Sequence, residues 1–449
     1  MILKNYQLSG YKIKPFLKSL RNLNFQNKTP IKFTPRLLRF MCTFCLFFTI
    51  YSVLWFTFFI LWWHYIIYAL LIIPAIVSIT ILAHICMLPI EHMIAGSFIK
   101  KAQEKLKKIN CIRIGITGSF GKTSTKNILR DMLSYKYKVC TSPQSYNTPL
   151  GLSRTVLENL EEGDDIIIFE MGARHSGDID YLCKIYGVDY GVITSVGKQH
   201  LETFKSIAKI GDTKFELYKN SKEKTVFGRG LKDTLYARAV DRKILACEDG
   251  SFCYAKSVGC SAEGMSATIM LDGKELELKT KLLGKHNLDN IMCALALAYT
   301  LGVTIYDLKK AVLNLKPTPH RLEVIKTGKF VVIDDSYNSN EAGAKEALNV
   351  LKLFEGRKFI ITPGLVEMGS EQSIANYKFG KAIAEVCDYA IVMNKENRGA
   401  LLEGLWAGGF PKDKVYVKSR LEDAMAVIKQ YASVNDVVLF ENDLPDNFR

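Results

Sequence analysis

Residues 112–124 read Ile-Arg-Ile-Gly-Ile-Thr-Gly-Ser-Phe-Gly-Lys-Thr-Ser, an apolar run followed by a glycine-rich turn and a Lys-Thr pair. The run predicts a β-strand over 112–117, and the pattern after the turn predicts a helix through Leu133. Glycines in such a turn let backbone N–H groups converge on phosphate oxygens, and the helix N-terminus adds partial positive charge. We therefore predict a nucleotide-binding loop in which Lys122 reaches the outer phosphates and the Thr123 hydroxyl can ligate Mg2+.

This loop departs from the common G-x4-G-K-[ST] pattern, because Ile116 stands where the first glycine belongs and Gly115 comes one place earlier. A glycine-rich turn that binds no ligand is the alternative interpretation. The Lys-Thr pair, placed between a strand and a helix, favours the nucleotide site. The residues predicted to contact phosphate are Gly118, Ser119, Gly121, Lys122, Thr123 and Ser124.

The chain after residue 110 alternates short apolar runs with helical patterns, which predicts an α/β fold with parallel sheets and helices on both faces. Residues 264–282 instead predict an antiparallel hairpin that turns at Asp272-Gly273. The best linker candidate, 316–319, divides this body into a central P-loop domain (111–316) and a C-terminal Rossmann-like domain (317–449). The other predicted strands are 165–171, 190–195, 330–335, 358–362, 389–393 and 437–440.

The N-terminal region is basic and apolar, unlike the rest of the chain. Of the net charge of +15, residues 1–110 contribute +12 and residues 111–449 only +3, so a basic groove for nucleic acid is not expected on the body. The 51 residues from 40 to 90 contain no Asp, Glu, Lys or Arg. Because one bilayer crossing needs about 20 apolar residues, this run predicts a transmembrane hairpin with spans at 40–61 and 66–88.

The flanks of the apolar run predict its topology. Residues 1–39 carry nine Lys or Arg and no acid, and five lysines lie in the predicted basic linker 91–110. The aromatic residues within 62–65 favour the water–lipid interface, so the turn is placed there. Since positive charge stays on the cytoplasmic side, both flanks and the body are expected in the cytosol. A buried hairpin of a soluble protein is the alternative.

Five short polar segments follow the glycine-rich loop along the chain. They are Glu170-Met171-Gly172-Ala173, Ser195-Val196-Gly197-Lys198-Gln199-His200-Leu201-Glu202, Lys214-Phe215-Glu216, Gly284-Lys285-His286-Asn287 and Asp334-Asp335-Ser336-Tyr337-Asn338. Together with the loop, this series resembles the Mur ligases, which build the peptide of bacterial peptidoglycan. It is most similar to the members that add D-alanyl-D-alanine, and the resemblance covers residues 111–449.

The resemblance implies a carboxylate–amine ligase that uses ATP to form an acyl phosphate, which an amine then attacks. Negative charge gathers between two anions in such a transfer, so cations must bridge them, and two Mg2+ ions are implied. The family carries a carbamylated lysine at the position of Lys214, whereas the residue alone reads as one more lysine of a charged helix. The implied metal ligands are Thr123, Glu170, His200 and Lys214, and the implied catalytic residues are Lys122, His200 and Lys214.

Nucleotide contacts are also implied outside the glycine-rich loop. Asn287 precedes a predicted helix, where it can hydrogen-bond adenine or simply cap the helix. Arg321 can reach phosphate, and Asp334 ends a strand, where an acid can accept ribose hydroxyls. Because Arg321 and Asp334 fall in a different predicted domain from the loop, ATP is expected in a cleft that closes by hinge motion near 317–319. Tyr337 and Asn338 complete the implied nucleotide-facing segment.

Two departures from the family bear on the substrates. The apolar hairpin stands where the family has a domain that grips the UDP part of its substrate. Residues 440–447 replace the usual Lys-Gly-Ser-type segment after the last strand. A carboxylate-bearing envelope precursor is therefore an expected partner, with a lipid-linked and a polymeric form both open, and an amino acid or dipeptide is the expected amine. Ligation of D-alanyl-D-alanine to the usual precursor stays open.

Three functions compete at this point. The first is a membrane-anchored ATP-dependent ligase of cell-envelope synthesis in the bacterial cytoplasmic membrane. The second is a P-loop kinase or transport ATPase, which the segments around Lys214 and Asp334 disfavour. The third is a non-catalytic membrane scaffold with a degenerate ATP site, and the presence of Lys122, Thr123 and Glu170 argues against it.

Overall fold

The computed structural model of this 449-residue chain describes residues 2–21, 31–58, 63–143, 145–197, 201–231, 244–337, 340–366, 368–393 and 397–441. They form two compact units, one within residues 1–100 and one within residues 101–443. Every described residue of the predicted site lies in the larger unit.

The smaller unit is helical. Its two long helices pair antiparallel, since Ser52 Oγ lies 3.1 Å from Tyr68 OH and Arg39 Nη2 lies 2.6 Å from Glu91 Oε1. Helix α3 begins with a proline, and the Thr34 hydroxyl caps it by accepting a hydrogen bond from the Leu37 N–H. The helices are α1 (Ile2–Leu8), α2 (Ile13–Arg21), α3 (Pro35–Phe58) and α4 (Trp63–Lys108), the last of which runs on into the larger unit.

The bounds of the two long helices differ from those of the predicted spans. By length and composition, Pro35–Thr57 and Ile66–Lys108 are long and apolar enough to cross a membrane, with mean hydropathies of 1.9 and 2.7. The predicted linker 91–110 instead continues α4, because this stretch is rich in Ala, Glu, Gln and Lys, which favour helix. The predicted turn at 62–65 lies partly outside the described residues, and the rest of it belongs to α4.

The larger unit begins with a six-stranded parallel sheet. Its strands are β1 (Ile112–Thr117), β2 (Val139–Thr141), β3 (Ile166–Glu170), β4 (Tyr190–Ile193), β5 (Thr225–Phe227) and β6 (Ile244–Ala246). The order across the sheet is β2-β3-β1-β4-β5-β6. The helices that follow these strands are α5 (Lys122–Leu133), α6 (Pro149–Asn159), α7 (Asp178–Tyr186), α8 (Leu201–Phe204) and α9 (Ile207–Asn220). Apolar clusters cover both faces of the sheet, as predicted.

A three-stranded antiparallel sheet and two helices follow. The sheet consists of β7 (Cys253–Ser261), β8 (Gly264–Leu271) and β9 (Lys274–Thr280), and the helices are α10 (Lys285–Thr300) and α11 (Ile305–Asn314). The predicted turn is confirmed: Asp272 and Gly273 join β8 to β9 with φ angles of 49° and 74°. Strand β7 was not predicted.

A second six-stranded sheet completes the larger unit. Its strands are β10 (Glu323–Lys326), β11 (Val331–Asp335), β12 (Lys358–Thr362), β13 (Tyr389–Val392), β14 (Val415–Val417) and β15 (Val437–Glu441). The order is β10-β11-β15-β12-β13-β14, and only β10 runs antiparallel to its neighbour. The helices are α12 (Glu341–Leu351), α13 (Gln372–Ala384), α14 (Arg398–Ala407) and α15 (Leu421–Tyr431). The polar residues at the carboxyl ends of the parallel strands in both sheets build the site.

Candidate active site

The glycine-rich loop joins β1 to α5 in a conformation that requires glycine. Gly118 and Gly121 have φ angles of 153° and 80°. A Cβ on Gly118 would lie 2.0 Å from the Thr194 hydroxyl, and one on Gly121 would lie 2.2 Å from the Asn290 side-chain oxygen. The Phe120 N–H also donates a 2.9 Å hydrogen bond to Ser195 Oγ. The backbone at the start of α5 is therefore held in one shape, as a phosphate-binding loop needs.

Lys122, the first residue of α5, bends back over this loop. Its ammonium group donates hydrogen bonds to the carbonyl oxygens of Gly118 at 2.7 Å and Ser119 at 3.2 Å. Burial lowers the pKa of Lys122 to about 8, and the charge of Arg321 adds to this, while Glu170 opposes it. Anionic phosphate groups beside the loop would favour the charged form, so Lys122 is placed to neutralise them.

Glu170 ends β3 next to this helix and is almost fully buried. Its Oε1 accepts hydrogen bonds from Thr123 Oγ1 at 3.1 Å and from Asn147 Nδ2 at 3.4 Å. Its Oε2 is buried, accepts no hydrogen bond by geometry from the described residues, and forms an ion pair with the Lys126 ammonium at 3.5 Å. The carboxylate and the neighbouring Thr123 hydroxyl are oxygen ligands of the kind that Mg2+ takes, and an ion bound there would share Glu170 with Lys126.

Lys126 is a site residue that the sequence reasoning missed. It is fully buried, and its Nζ lies 3.5 Å from Glu170 Oε2 and donates to the carbonyl and hydroxyl oxygens of Ser142. Burial lowers the pKa of Lys126, and the carboxylate of Glu170 opposes that shift. The sequence spacing could have indicated Lys126, because a residue four positions after Lys122 lies on the same face of the helix.

Lys214 lies in α9 and is almost fully buried. Burial lowers the pKa of Lys214 to about 7, and the charge of Lys122 lowers it further, against the opposing effect of Asp178 and Glu216. With a pKa near 7, about half of the amine is neutral at pH 7, and the neutral form is the one that reacts with CO2 to give a carbamate. His200, the other residue implied for a second metal ion, lies outside the described residues.

Three predicted nucleotide-contacting residues of the C-terminal domain lie among the described residues, and two of them line the cleft. Arg321 and Tyr337 both line the cleft, and the guanidinium lies 4.4 Å from the centre of the tyrosine ring. Asp334 turns elsewhere, since its carboxylate bonds His320 Nδ1 at 2.8 Å. The next residue, Asp335, lines the cleft instead. Successive side chains of a strand point to opposite faces, which explains why Asp335 lines the cleft and Asp334 does not. Asn338 lies outside the described residues.

In α10, too, the residue that lines the cleft is a neighbour of the predicted one. Asn287 neither lines the cleft nor caps the helix: its side chain donates a 2.8 Å hydrogen bond to the Leu283 carbonyl and accepts a 3.3 Å hydrogen bond from Asn290 Nδ2. Asn290, one helical turn later, lines the cleft, and its Oδ1 accepts a 3.1 Å hydrogen bond from Thr125. Asp289 also lines the cleft, and burial raises its pKa to about 6.

These residues surround one cleft of about 440 Å³ within the larger unit. This volume is within the usual range for a small-molecule site, about 300–1,000 Å³. The first sheet and its helices supply the glycine-rich loop, Glu170 and Asn290, and the second sheet supplies Arg321 and Asp335. Gly118 and Lys214 are not among the residues that line the cleft. Of the predicted residues, the cleft brings together Ser119, Gly121, Lys122, Thr123, Ser124, Glu170, Arg321 and Tyr337.

Comparison with known proteins agrees with this geometry. Residues 116–298 match the Mur ligase middle domain, and residues 320–441 match the glutamate ligase domain of Mur ligases. The chain belongs to the Mur ligase family. This Mur ligase is 30% identical over 346 residues to the UDP-N-acetylmuramoyl-tripeptide–D-alanyl-D-alanine ligase of Bacillus subtilis, and the match covers 76% of this chain and 75% of that protein.

Solved structures lead to the same family. MurF from Thermotoga maritima in complex with ADP has a TM-score of 0.68 and 29% identity, and the match covers 78% of this chain and 80% of that chain. MurF from Acinetobacter baumannii has a TM-score of 0.70 and 22% identity over 78% of this chain and 77% of that one, a likeness in fold. This Mur ligase is thus an ATP-dependent, MurF-like enzyme of peptidoglycan synthesis that forms amide bonds, and the predicted fold class and enzyme class are confirmed.

Proposed function

We propose that this Mur ligase is anchored in the bacterial cytoplasmic membrane and joins an amino acid or dipeptide to a carboxylate-bearing precursor of peptidoglycan. The cleft carries this proposal, because it brings the phosphate loop and Glu170 of the first sheet face to face with Arg321 and Asp335 of the second. The antiparallel pair of apolar helices in the smaller unit supports the anchor.

The chemistry begins with activation of a carboxylate, which is a poor electrophile. A carboxylate oxygen of the precursor attacks the γ-phosphorus of ATP, the bond from that phosphorus to the bridging oxygen breaks, and ADP leaves. Lys122 and Arg321 lower the barrier, because the reaction brings two anions together. The amine then attacks the acyl carbon of the acyl phosphate, inorganic phosphate leaves, and the amide forms with release of a proton.

Thr123 and Glu170 are the residues that would hold a first Mg2+ ion, as the hydrogen-bond geometry of Glu170 supports. Bound there, the ion supplies positive charge to the phosphate oxygens. For a second ion we propose His200 and a carbamylated Lys214. The lowered pKa of Lys214 supports the carbamate, since only the neutral amine reacts with CO2.

The identity of the carboxylate-bearing precursor, to which the amine is joined, is the next part of the proposal. The relative from Bacillus subtilis is named for a UDP-linked tripeptide and for D-alanyl-D-alanine. Two apolar helices long enough to cross a membrane favour a lipid-linked precursor, because an anchored enzyme meets membrane-borne substrates at high effective concentration.

The test uses the full chain in lipid nanodiscs with ATP, Mg2+ and D-alanyl-D-alanine. We expect phosphate release that depends on both the amine and a lipid-linked muramoyl-peptide, with the UDP-linked tripeptide a poor substrate by comparison. Efficient use of the UDP-linked tripeptide would show that the anchor does not select the precursor. Phosphate release without any amine would favour a kinase or ATPase, and no turnover of ATP at all would favour the scaffold.

A further inference from the structure

A buried ion pair supports one wall of the cleft. Glu170 lines the cleft and Lys126 does not, yet Lys126 Nζ lies 3.5 Å from Glu170 Oε2. Both side chains are only 1% exposed. A charge this deeply buried is costly unless an opposite charge and hydrogen bonds accompany it. The charge of Glu170 is therefore balanced from inside the protein, before any ion or nucleotide enters the cleft.

Ser142 holds the Lys126 ammonium group in place. Nζ donates hydrogen bonds to the Ser142 carbonyl at 3.1 Å and to its hydroxyl at 3.0 Å. Ser142 follows β2, the strand that pairs with β3, so Lys126 links its own helix to the sheet beside Glu170. Together with Glu170 Oε2, three acceptors surround Nζ. An ammonium group has a hydrogen for each of them, whereas a neutral amine has one too few, so these contacts favour the charged lysine.

Lys126 balances the charge of Glu170 without blocking its oxygens. Oε1 accepts a hydrogen bond from Thr123, and Oε2 accepts none by geometry from the described residues. A divalent ion on this carboxylate would displace no hydrogen bond at Oε2. It would, however, lie close to the positive charge of Lys126, and like charges repel strongly where little water screens them. The pair thus lowers the affinity of Glu170 for a bare cation.

Two further cations act on the same place from the cleft side. Lys122 and Arg321 line the cleft together with Glu170. Burial lowers the pKa of Lys122 most, Glu170 raises it and Arg321 lowers it further, so these charges lie within reach of one another. Such a positive balance repels a bare divalent ion and attracts phosphate groups. An ion that arrives bound to a nucleotide brings phosphates that offset these positive charges.

We propose that Lys126 is a positioning residue that makes metal binding depend on nucleotide: by neutralising Glu170 from behind, it keeps a bare divalent cation off this carboxylate until the phosphates arrive. The inference rests on the proposed use of ATP and Mg2+ in the cleft. Its consequence is that the empty site stays open to the nucleotide and its ion as one unit, instead of filling with the ion alone.

The experiment measures the binding of Mn2+, a paramagnetic probe of Mg2+ sites, to the detergent-solubilised full chain. Electron paramagnetic resonance follows the sharp signal of free Mn2+, which weakens as the ion binds. Titrations are run with and without ADP on the wild type, Lys126→Gln, Glu170→Gln and the double variant. Only the binding that Glu170→Gln removes belongs to Glu170, so Mn2+ bound elsewhere is subtracted.

The decisive variant is Lys126→Gln, which replaces the ammonium group by a neutral hydrogen-bond donor. Without ADP, it should bind Mn2+ at Glu170 about tenfold more tightly than the wild type, because the repelling charge is gone. The double variant should lose this gain. ADP should tighten Mn2+ binding about tenfold in the wild type and by clearly less in Lys126→Gln. The control Lys222→Gln removes a charge from an exposed pair with Asp189 and should follow the wild type.

The outcomes separate this inference from the proposed function. If no form binds ADP, the proposed function fails. If ADP binds but Lys126→Gln holds Mn2+ no more tightly than the wild type, or the double variant keeps the gain, the role of Lys126 is overturned. A merely structural lysine would lower the unfolding temperature without raising metal affinity. If Lys126→Gln does not fold, the wild type and Glu170→Gln decide: Mn2+ binding at Glu170 that is as tight without ADP as with it overturns the inference, and binding that needs ADP supports it.

Discussion

The carboxyl edges of the two sheets hold their polar residues in different ways. After β1 the backbone itself is the site, and two glycines with positive φ lie so close to Thr194 and Asn290 that no side chain could be added. After β11 the site is made of side chains that alternate, with Asp334 turned to His320 and Asp335 turned to the cleft.

This difference determines which amino-acid substitutions each edge tolerates. A backbone loop presents N–H groups whatever its side chains are, so its chemistry depends on Lys122 and on the glycines that allow its shape. At the second edge, Asp335 lines the cleft and Asp334 does not, so the position of a carboxyl in the strand decides whether it can reach a ligand there. We therefore expect sharp, local effects at the second edge and a near-total loss at the first.

The largest expected effect is that of Lys122→Ala. Loss of one preorganised electrostatic contact to the transition state typically costs about 10²–10³ in rate, and we expect kcat to fall by that factor. Amine-dependent phosphate release under saturating ATP measures it. The matched control is Lys222→Ala, an exposed lysine that pairs with Asp189 and should leave kcat unchanged.

Circular dichroism of the Lys122→Ala variant should match the wild type, because the substitution removes charge rather than apolar core. Turnover close to the wild-type rate in a folded variant would refute the phosphate loop.

Lys214→Ala tests the proposed carbamate of Lys214, which lies in α9 and does not line the cleft. If Lys214 carries a carbamate, its loss should cost about 10² in rate or more, and acetate should restore part of the activity by filling the same position. Depleting dissolved CO2 should lower wild-type activity, and a carbamate carbon labelled with ¹³CO2 should be visible by NMR in the wild type only. An unchanged turnover in Lys214→Ala at saturating Mg2+ would rule out this mechanism.

The fold and the first edge could be predicted from the sequence because local patterns determine both. Short apolar runs ended by glycine mark parallel strands, and the Lys-Thr pair after two glycines marks the loop. The burial of Lys126, by contrast, could not be predicted from a local pattern. A lysine in a helix is usually exposed, and only the packing of α5 against β3 shows that this one is buried beside Glu170.

The sequence locates the polar segment at the second edge, but it does not show which residue of that segment faces the cleft. In the Asp334-Asp335 pair, sequence alone does not show which carboxyl faces the cleft, because that depends on the register of β11 against β10 and β15. Asn287 and Asn290 pose the same problem on a helix. Both are polar residues in a mostly apolar helix, and which one faces the loop depends on how α10 packs against α5.

Asp335→Ala and Asp334→Ala sharpen the comparison at the second edge. Asp335 lines the cleft, so its loss should weaken ADP binding about tenfold, as for a hydrogen bond to a charged group. Asp334 bonds an exposed histidine, so its loss should change ADP binding by less than about twofold. Titration calorimetry with ADP measures both, and the reverse order of effects would return the ribose contact to Asp334.

The smallest expected effects are those of Asn290→Ala and Asn287→Ala on ADP binding. They test how α10 supports the glycine-rich loop at the first edge. Asn290 accepts a hydrogen bond from Thr125 and lies against Gly121, so Asn290→Ala frees the start of α5 and should raise the Kd for ADP about fivefold. Asn287 is buried, donates to the Leu283 carbonyl and accepts a 3.3 Å hydrogen bond from Asn290 Nδ2, so Asn287→Ala should cost about 1–2 kcal/mol of stability and raise the Kd for ADP by less than Asn290→Ala does. The two measurements, ADP titration and thermal unfolding, thus give opposite rankings of the two variants. If Asn287→Ala weakens ADP binding more than Asn290→Ala does, the adenine contact first assigned to Asn287 is restored, and the packing of α10 against the loop shown here does not describe the nucleotide-bound state.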